Sequence, residues 1–308
     1  MAQETNTPGD ASADLRIGVS GWRYAPWRGA FYPKGLVQDR ELAYLSHQFP
    51  AAELNSSFYS LQRPQSYLRW AAETPPGFVF AVKGPRYITH TLRLRHLEQA
   101  LPNFWASGVL ALGPKLGPLL WQLPPTLRFD AALIDDFLGG LPRDTDAAAG
   151  MAHRRDPARM AGREWLEAPS PRLRLRHALE VRHESFIDPD FIALLRRHDV
   201  AFVVADTARR YPEFFDVTAD FVYVRLHGAT ELYNSRYSDA ELERWSEHIR
   251  AWAGGSQRAE APRIASEAPP PRAHRDVFCF FDNTDKRAAP VNAAQLLQRL
   301  GMNALPFE

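Results

Sequence analysis

Eight short β-like runs, most of them followed by a helix-like segment, restrict the possible folds of this chain more than any other feature. The runs are Leu15–Trp22, Ala51–Tyr59, Phe78–Lys83, Leu116–Leu123, His177–Arg182, Ala201–Ala205, Phe221–Leu226 and Val277–Phe281. Strands that alternate with helices pair in parallel through crossover helices. Because eight such units fit a closed cylinder, we predict an α/β fold of the TIM-barrel-like (β/α)₈ type.

An open, doubly wound sheet is the alternative arrangement of the same elements. In that fold the first strand is usually followed by a glycine-rich loop that binds a dinucleotide. The stretch GVSGW at the first run lacks the required glycine spacing. We therefore favour the closed barrel and predict no cofactor.

The chain is predicted to form one domain over residues 14–308, preceded by a disordered tail over residues 1–13. Two segments interrupt the β/α pattern, at about 142–175 and 255–275. The first is rich in Ala, Arg, Asp and Pro with weak periodicity, so we predict an insertion or long loop there. The second is rich in Ala and Pro, so we predict an insertion that forms a flexible excursion.

Composition excludes several classes of protein. With 37 basic and 36 acidic residues the net charge is only +1, so a polyanion-binding coat is not indicated, although a local basic cleft is compatible with it. The single cysteine, Cys279, excludes an internal disulfide framework and is compatible with a reducing compartment. No stretch resembles a signal peptide or a membrane span, so we expect a soluble, cytoplasmic protein without membrane contact and of undefined oligomeric state.

The stretch AAELNSSFY at the second run carries three polar residues at alternate positions. If the strand extends to Tyr59, then Glu53, Asn55 and Ser57 lie on one face. Buried polar groups require partners, so these residues predict either a packing network or the wall of a polar pocket.

Polar residues recur at the carboxyl ends of all eight runs. They are Ser20, Trp22, Asn55, Ser57, Lys83, Gln122, Glu180, Arg182, Asp206, Arg225, His227, Asp282 and Asn283. In a parallel barrel these ends meet at the face that carries the active site. A purely structural charge network is the alternative, and the recurrence over eight units favours a functional pocket.

The residue types predict roles within that pocket. Lys83, Arg182 and Arg225 would bind an anionic group. Glu53, Glu180 and Asp206 would act as ionised bases beside them. His227 and His90 are the predicted proton-transfer groups, because imidazole changes charge near neutral pH.

A metal site is an alternative interpretation, because several carboxylates and histidines would converge at the carboxyl ends of the strands. Neither an HExxH spacing nor paired cysteines are present, and the pocket is rich in cations. We therefore predict no metal ligands.

Aromatic residues gather in the loops beside the same ends. They are Trp22, Tyr24, Trp27, Phe31, Tyr32, Phe58, Tyr59, Tyr87, Tyr233 and Tyr237. Most are expected to pack over the barrel, while a minority, of which Trp22 and Tyr87 are our candidates, would contact substrate together with Asn55, His90, Asp282 and Asn283.

Several motifs, taken in their order along the chain, resemble those of a known family. GVSGWRYAPWRGAFYP, AELNSSFYSL, FVFAVKGPRYITH, LGPLLWQLPP, LEVRHESF, YVRLHG with YNSRYS, and FCFFDNT are similar to the DUF72 (YecE-like) family. This resemblance runs from about Leu15 to Leu300 and implies a TIM-barrel-like fold with a pocket, but no particular reaction. Where the family motif after the fifth strand often ends in Trp, this chain has Phe186.

The leading hypothesis is an enzyme that uses acid–base chemistry, such as hydrolysis, on an anionic substrate. The substrate would be a phosphate ester, a nucleotide or a nucleic-acid strand. The rivals are a metal-dependent hydrolase or isomerase, and a non-catalytic module that binds nucleic acid or another ligand.

Overall fold

The protein is a closed barrel of eight parallel strands in the order in which they occur along the chain. A computed structural model describes residues 12–228, 230–232, 235–283 and 287–303. The strands are β1 (Leu15–Ser20), β2 (Ala51–Leu54), β3 (Val79–Lys83), β4 (Leu116–Gln122), β5 (His177–Glu180), β6 (Ala201–Asp206), β7 (Phe221–Leu226) and β8 (Asp276–Phe281). Strands β8 and β1 pair in parallel and close the cylinder, which confirms the predicted (β/α)₈ barrel.

Helices flank the barrel between most successive strands. In the described part of the chain they are α1 (Glu41–Gln48), α2 (Ser56–Tyr59), α3 (Pro64–Ala72), α4 (Ala100–Ala106), α5 (Ala131–Gly139), α6 (Thr145–Ala152), α7 (Pro157–Met160), α8 (Pro189–Arg197), α9 (Asp239–Ala253) and α10 (Ala288–Arg299). The capping box predicted at Ser238 and Glu241 begins α9. A π-helical turn, Tyr87–Thr91, follows β3.

The barrel interior has its own apolar cluster, separate from the larger one between strands and helices. Small residues face inward on several strands, among them Ala51, Ala81 and Ala178, while β7 and β8 supply large aromatic rings. The inward position changes from apolar to polar towards the carboxyl end of most strands, although on β6 the inward residues Ala201, Val203 and Ala205 stay apolar. Period-two alternation on β7, for example, places Phe221, Tyr223 and Arg225 on the inner face.

The second strand is shorter than the sequence predicted. It ends at Leu54, and the chain turns at Asn55 into α2. The predicted common face of Glu53, Asn55 and Ser57 is therefore wrong, because Ser57 is helical and its hydroxyl donates to the Lys83 carbonyl at 2.6 Å. Phe58 and Tyr59, which had suggested a longer strand, instead belong to a single helical turn.

The two predicted insertions differ in structure. The first contains α6 and α7 and attaches to α4 through bonds from Asp156 N to Asn103 Oδ1 at 2.9 Å and from Trp165 N to Ala106 O at 2.8 Å. The second has no helix or strand among its described residues. It is anchored by the Asp216 carboxylate, which accepts from the backbone at Ile264 and Ala265, so it is not a loose excursion.

Three sequence predictions involve residues outside the described part of the chain. These are most of the predicted tail (residues 1–11), the aromatic loop residue Tyr233, and Thr284 in the motif after β8. Among the described helices, none is both long enough and apolar enough to cross a bilayer.

A glycine in β1 tests the strand register. A Cβ at Gly18 would lie 1.9 Å from the Ala51 carbonyl oxygen on β2. Because this oxygen belongs to the backbone of the paired strand, it cannot move away to make room for the Cβ. We expect Gly18→Ala to lower the free energy of unfolding by about 3 kcal/mol. In the control Gly150→Ala, a helical site with open space, we expect a gain of about 0.5–1 kcal/mol. Urea denaturation measures both, and equal stability of the two variants would contradict the register.

Candidate functional site

A ring of inward polar side chains occupies the carboxyl end of the barrel, which we call the barrel mouth. Most of these residues follow an apolar inward residue two positions earlier on their strand, while His227 follows Arg225, which is itself a member of the ring. The ring consists of Ser20, Glu53, Lys83, Gln122, Glu180, Arg225, His227 and Asp282. Residues from distant parts of the sequence thus converge, as the strand-end pattern predicted.

Arg225 is 1% exposed and contacts several members of this ring, and we call Arg225 together with Glu53 and Glu180 the hub. Its Nε and Nη2 donate to the two oxygens of Glu53 at 2.9 and 2.8 Å, a bidentate pair. Its Nη1 donates to Glu180 Oε2 at 2.8 Å and contacts His227 Nε2 at 3.2 Å, and Nη2 also reaches Asp282 Oδ2 at 3.2 Å. These contacts engage all five N–H groups of the guanidinium.

The two glutamates at the hub are satisfied from further sides. Tyr223 donates its hydroxyl to Glu53 Oε2 at 2.8 Å, and Ser20 Oγ donates to Glu53 Oε1. Gln122 Nε2 and Arg182 Nε each donate to Glu180 Oε1 at 2.8 Å. Buried carboxylates with this many donors are held ionised and in fixed positions.

The charged groups of the hub shift one another's pKa values. Burial alone would raise the pKa of Glu53 and of Glu180, but the positive charge of Arg225, joined for Glu180 by that of Arg182, lowers both pKa values below their ordinary range. Burial alone would lower the pKa of Arg225, but the two glutamates raise it. Arg225, Glu53 and Glu180 therefore remain charged at neutral pH.

His227 and His90 are both neutral at pH 7, which differs from the predicted titration near neutral pH. Burial and the charge of Arg225 lower the pKa of His227. Burial and the charges of Lys83 and Arg182 lower the pKa of His90 to about 4. Because His227 Nε2 faces the Arg225 donor at 3.2 Å, we assign its proton to Nδ1, which faces Asp282 Oδ2 at 3.3 Å.

Lys83 is the group of the ring whose ionisation lies near neutral pH. Its Nζ lies 4.1 Å from the centre of the Phe58 ring and has no hydrogen-bond or ion-pair partner among the described residues. The side chain is 8% exposed and lies at the carboxyl end of β3. Burial and the charge of Arg225 lower the pKa of Lys83 to about 8.

Two predicted site residues lie at the edge of the ring. Arg182 stacks on Tyr211, with 4.8 Å between its guanidinium carbon and the ring centre. Asp206 accepts from the Tyr237 hydroxyl at 3.0 Å and lines a separate cavity of about 600 Å³ beside α9. Burial raises the pKa of Asp206.

Asn55 lies beside the ring and bonds to one of its members, while two other predicted site residues do not contact the ring. Asn55 Nδ2 donates to Ser20 Oγ at 2.9 Å. Trp22 packs outside the strands against Trp70, with 5.6 Å between the ring centres. Asn283 is turned towards α10, where its amide donates to Asn292 Oδ1 at 3.0 Å.

A groove of about 330 Å³ adjoins the barrel mouth through Phe58, and we call it the tyrosine groove. Its lining includes Phe58, Tyr59, Gln62, Tyr87, Arg159 and Arg163. Tyr59 is 74% exposed and Tyr87 is 45% exposed. The edge of the His90 ring also lies against Phe58, with 5.1 Å between the ring centres. Tyr87 thus lines the groove and His90 lies beside Phe58, and neither belongs to the ring.

Sequence reasoning missed several contributors. Tyr223 lies two residues before Arg225, so strand alternation could have identified it. Gln122 was recognised as a polar strand-end residue but was given no role, although it faces Glu180 across the β4–β5 ladder. Phe58 was taken for a strand residue, although its ring supports Lys83. Arg159 lies on α7 in the first insertion, and nothing in the sequence connects it with the barrel mouth.

Within the described residues, no group of three or more His, Cys, Asp or Glu side chains is arranged to hold a metal ion. The carboxylates of the ring are instead occupied by the donors of Arg225, Arg182, Ser20, Tyr223 and Gln122.

Removal of the hub cation should be strongly destabilising. Arg225→Met leaves Glu53 and Glu180 buried without their main partner, and we expect a loss of about 3–5 kcal/mol in the free energy of unfolding. The control is Arg174→Met, which removes half-exposed ion pairs to Asp199 and Asp220 and should cost at most about 1 kcal/mol. Denaturant titration compares them. Adding Glu53→Gln and Glu180→Gln should restore part of the loss, and a hub variant as stable as the control would contradict this role.

The same carboxylates should make the protein sensitive to acid. Their folded pKa values lie below the unfolded value of about 4.3, so their stabilisation is present above that pH and is lost as the pH falls below it. Each carboxylate contributes up to about 1.4 kcal/mol per pH unit in this range. The free energy of unfolding should therefore fall less steeply below pH of about 4.3 in Glu180→Gln than in the wild type. Parallel curves would show that Glu180 is not held ionised.

Known proteins resemble this chain in sequence and in fold. A family model described as "Protein of unknown function DUF72" matches residues 16–307. The UPF0759 protein YunF of Bacillus subtilis is 24% identical over 315 residues, which covers 93% of this chain and 94% of that protein. The UPF0759 protein YecE of Escherichia coli K12 is 28% identical over 140 residues, 45% of this chain, and the match spans about half, 48%, of YecE. A crystal structure of a DUF72 family protein from Thermotoga maritima superimposes with a TM-score of 0.68 at 24% identity, covering 94% of this chain and 99% of the other. The chain belongs to the DUF72 family.

Proposed function

We propose that this protein is a barrel enzyme that performs acid–base chemistry on an anionic substrate at the barrel mouth. The observation that carries the proposal is the amino group of Lys83. It lies at the carboxyl end of the barrel without a hydrogen-bond partner among the described residues, and its pKa of about 8 lets it gain or lose a proton near neutral pH.

The other charged residues of the ring support Lys83 and do not compete with it for substrate. Arg225, Glu53 and Glu180 saturate one another, so Arg225 has no donor left over for an anion. In this proposal Arg225 positions the two glutamates and its charge lowers the pKa of Lys83. His227 is a neutral, buried imidazole that links Arg225 to Asp282. Asp206, which faces the neighbouring cavity, takes no part in the step.

The electrostatics of the tyrosine groove favour an anion. Its lining includes Arg159 and Arg163 and, among the described residues, no carboxylate. The guanidinium of Arg159 lies 5.9 Å from the centre of the Tyr87 ring, where it is accessible to solvent. Phosphate and carboxylate groups suit such arginines, so a substrate with a charged group in the groove would place its reacting end at Lys83.

A non-catalytic module that binds single-stranded nucleic acid is the second candidate. The exposed rings of Tyr59 and Tyr87, together with the arginines beside them, are features on which bases stack and phosphates bind. Such a module would bind an oligonucleotide with an affinity that falls steeply with salt, and would leave it unchanged.

Anion binding tests the leading proposal. We expect inorganic phosphate or pyrophosphate to bind in calorimetry at pH 7, and Lys83→Met to weaken that binding about tenfold, which corresponds to a charge-assisted contact of about 1.4 kcal/mol. The matched control is Lys34→Met at an exposed site, which should bind as the wild type does. Absence of binding by the wild type, or equal binding by all three proteins, would refute the anion site.

The same titration with a single-stranded oligonucleotide separates the two candidates. Tight binding that weakens between about 50 and 200 mM salt, without chemical change of the strand, would support the binding module. In that case Tyr59→Ala should weaken the binding more than Lys83→Met does, because stacking on the exposed ring contributes about 1–3 kcal/mol per base.

A further inference from the structure

We propose that the Lys83 amino group is a nucleophile which forms an imine with a carbonyl carbon of the substrate. The site would then take an anionic aldehyde or ketone, such as a keto acid or a phosphorylated sugar. This inference rests on the anion site proposed above, and it adds covalent chemistry to it.

The use of lysine in this chain singles Lys83 out. Only four of the 37 basic residues are lysines, so arginine supplies nearly every positive charge. Lys34 is exposed, and Lys286 lies outside the described residues. Lys115 caps α3 by donating to the carbonyls of Ala71 at 2.6 Å and Thr74 at 2.5 Å. For a simple anion contact arginine would serve as well, whereas only lysine can present a neutral, nucleophilic amine.

The surroundings of Lys83 are those of a reactive amine and not of a structural cation. A structural buried lysine is paired with a carboxylate. Here the nearby glutamates are occupied: Glu53 by Arg225, Tyr223 and Ser20, and Glu180 by Arg225, Arg182 and Gln122. The amino group instead lies on the face of the Phe58 ring, at 4.1 Å from its centre.

These surroundings keep part of the amine unprotonated. With a pKa of about 8, about a quarter of Lys83 is neutral at pH 7.5, against about 0.1% of a lysine with the ordinary pKa of about 10.4. Burial and the neighbouring cation Arg225 produce this shift, and these are the two devices that activate amine nucleophiles in enzymes.

The reaction is a condensation that releases water. The Nζ lone pair attacks the carbonyl carbon, a C–N bond forms, and the carbonyl π electrons move to oxygen. One proton passes from nitrogen to that oxygen and gives a carbinolamine. The nitrogen then loses its second proton as the C–O bond breaks, so that both amine protons leave with the oxygen as water and a C=N bond remains.

His90 is placed to carry the proton in that step. Its ring and the Lys83 amino group both lie against Phe58, and the charge of Lys83 contributes to keeping His90 neutral. Thr89 Oγ1 holds His90 Nδ1 at 2.8 Å, so Nε2 is the nitrogen that we assign to proton exchange. A neutral imidazole can accept the proton from nitrogen and return it to the leaving oxygen.

The test is reductive trapping in the full-length protein. The wild type is incubated at pH 7.5 with pyruvate, glyceraldehyde 3-phosphate or pyridoxal 5′-phosphate, each in the presence of sodium cyanoborohydride. Reduction converts an imine into a stable secondary amine, which peptide mass spectrometry locates among the four lysines. We expect at least one of the three carbonyl compounds to modify Lys83 about tenfold faster or more than exposed Lys34. Unfolding the protein in urea should abolish the preference.

The matched variants separate this inference from the proposed function. Lys83→Arg keeps the positive charge, so it should still bind phosphate but should not be trapped, while Lys34→Arg should still be trapped at Lys83. If none of the three compounds modifies Lys83 faster than Lys34 in the folded wild type, the imine inference is overturned. Loss of phosphate binding in Lys83→Met would then remain as support for the anion site alone.

Discussion

The bidentate pair between Arg225 and Glu53, closed on the other side by Glu180, is the interaction on which the rest of the structure depends. Three charges that are at most 1% exposed can remain in a barrel interior only if nearly all of their hydrogen-bonding groups are matched. The matching groups come from β2, β5 and β7, which are far apart in sequence and meet only across a closed cylinder. Barrel closure and charge pairing therefore require each other. Because this saturation leaves Arg225 no donor for an anion, we propose Lys83 for the ligand-binding role.

The apolar part of the interior determines from which side a ligand can enter. Below the polar ring, Tyr223 packs on Phe280 with 5.4 Å between ring centres, and Phe221 packs on Phe278 at 5.8 Å. These large rings lie in the same interior cluster as small residues such as Ala81 on β3, the strand opposite β7. The amino end of the barrel is thus filled, as in other packed barrels. The proposed site, with Lys83, Phe58 and the tyrosine groove, therefore lies at the opposite, carboxyl end.

The sequence predicted the fold and the convergence of Glu53, Glu180 and Arg225, because alternating strands and helices with polar strand ends constrain both. It did not predict which charged side chains of the ring pair with one another. Whether a cation is saturated or available depends on partners across the barrel, and strand alternation alone does not specify them. Trp22 was assigned to the pocket, but β1 ends at Ser20 and Gly21, with a φ of 77°, turns the chain so that the indole packs outside. Arg159 reaches the groove only through packing of the first insertion on α4.

From their ordinary pKa values, the histidines would be expected to titrate near neutral pH and Lys83 would not. Burial reverses this expectation. Desolvation disfavours the charged form of both residue types, so it moves His227 and His90 away from neutral pH and moves Lys83 towards it. The glutamates move in the direction that their arginine partners dictate and stay ionised. Stability and the proposed reactivity would consequently depend on different groups. The hub requires ionised carboxylates and loses stability in acid, whereas the proposed Lys83 nucleophile requires a neutral amine, whose fraction increases as the pH rises through about 8. Between these limits the hub is intact while Lys83 is partly unprotonated, and that interval is where a lysine-based reaction in this barrel can operate.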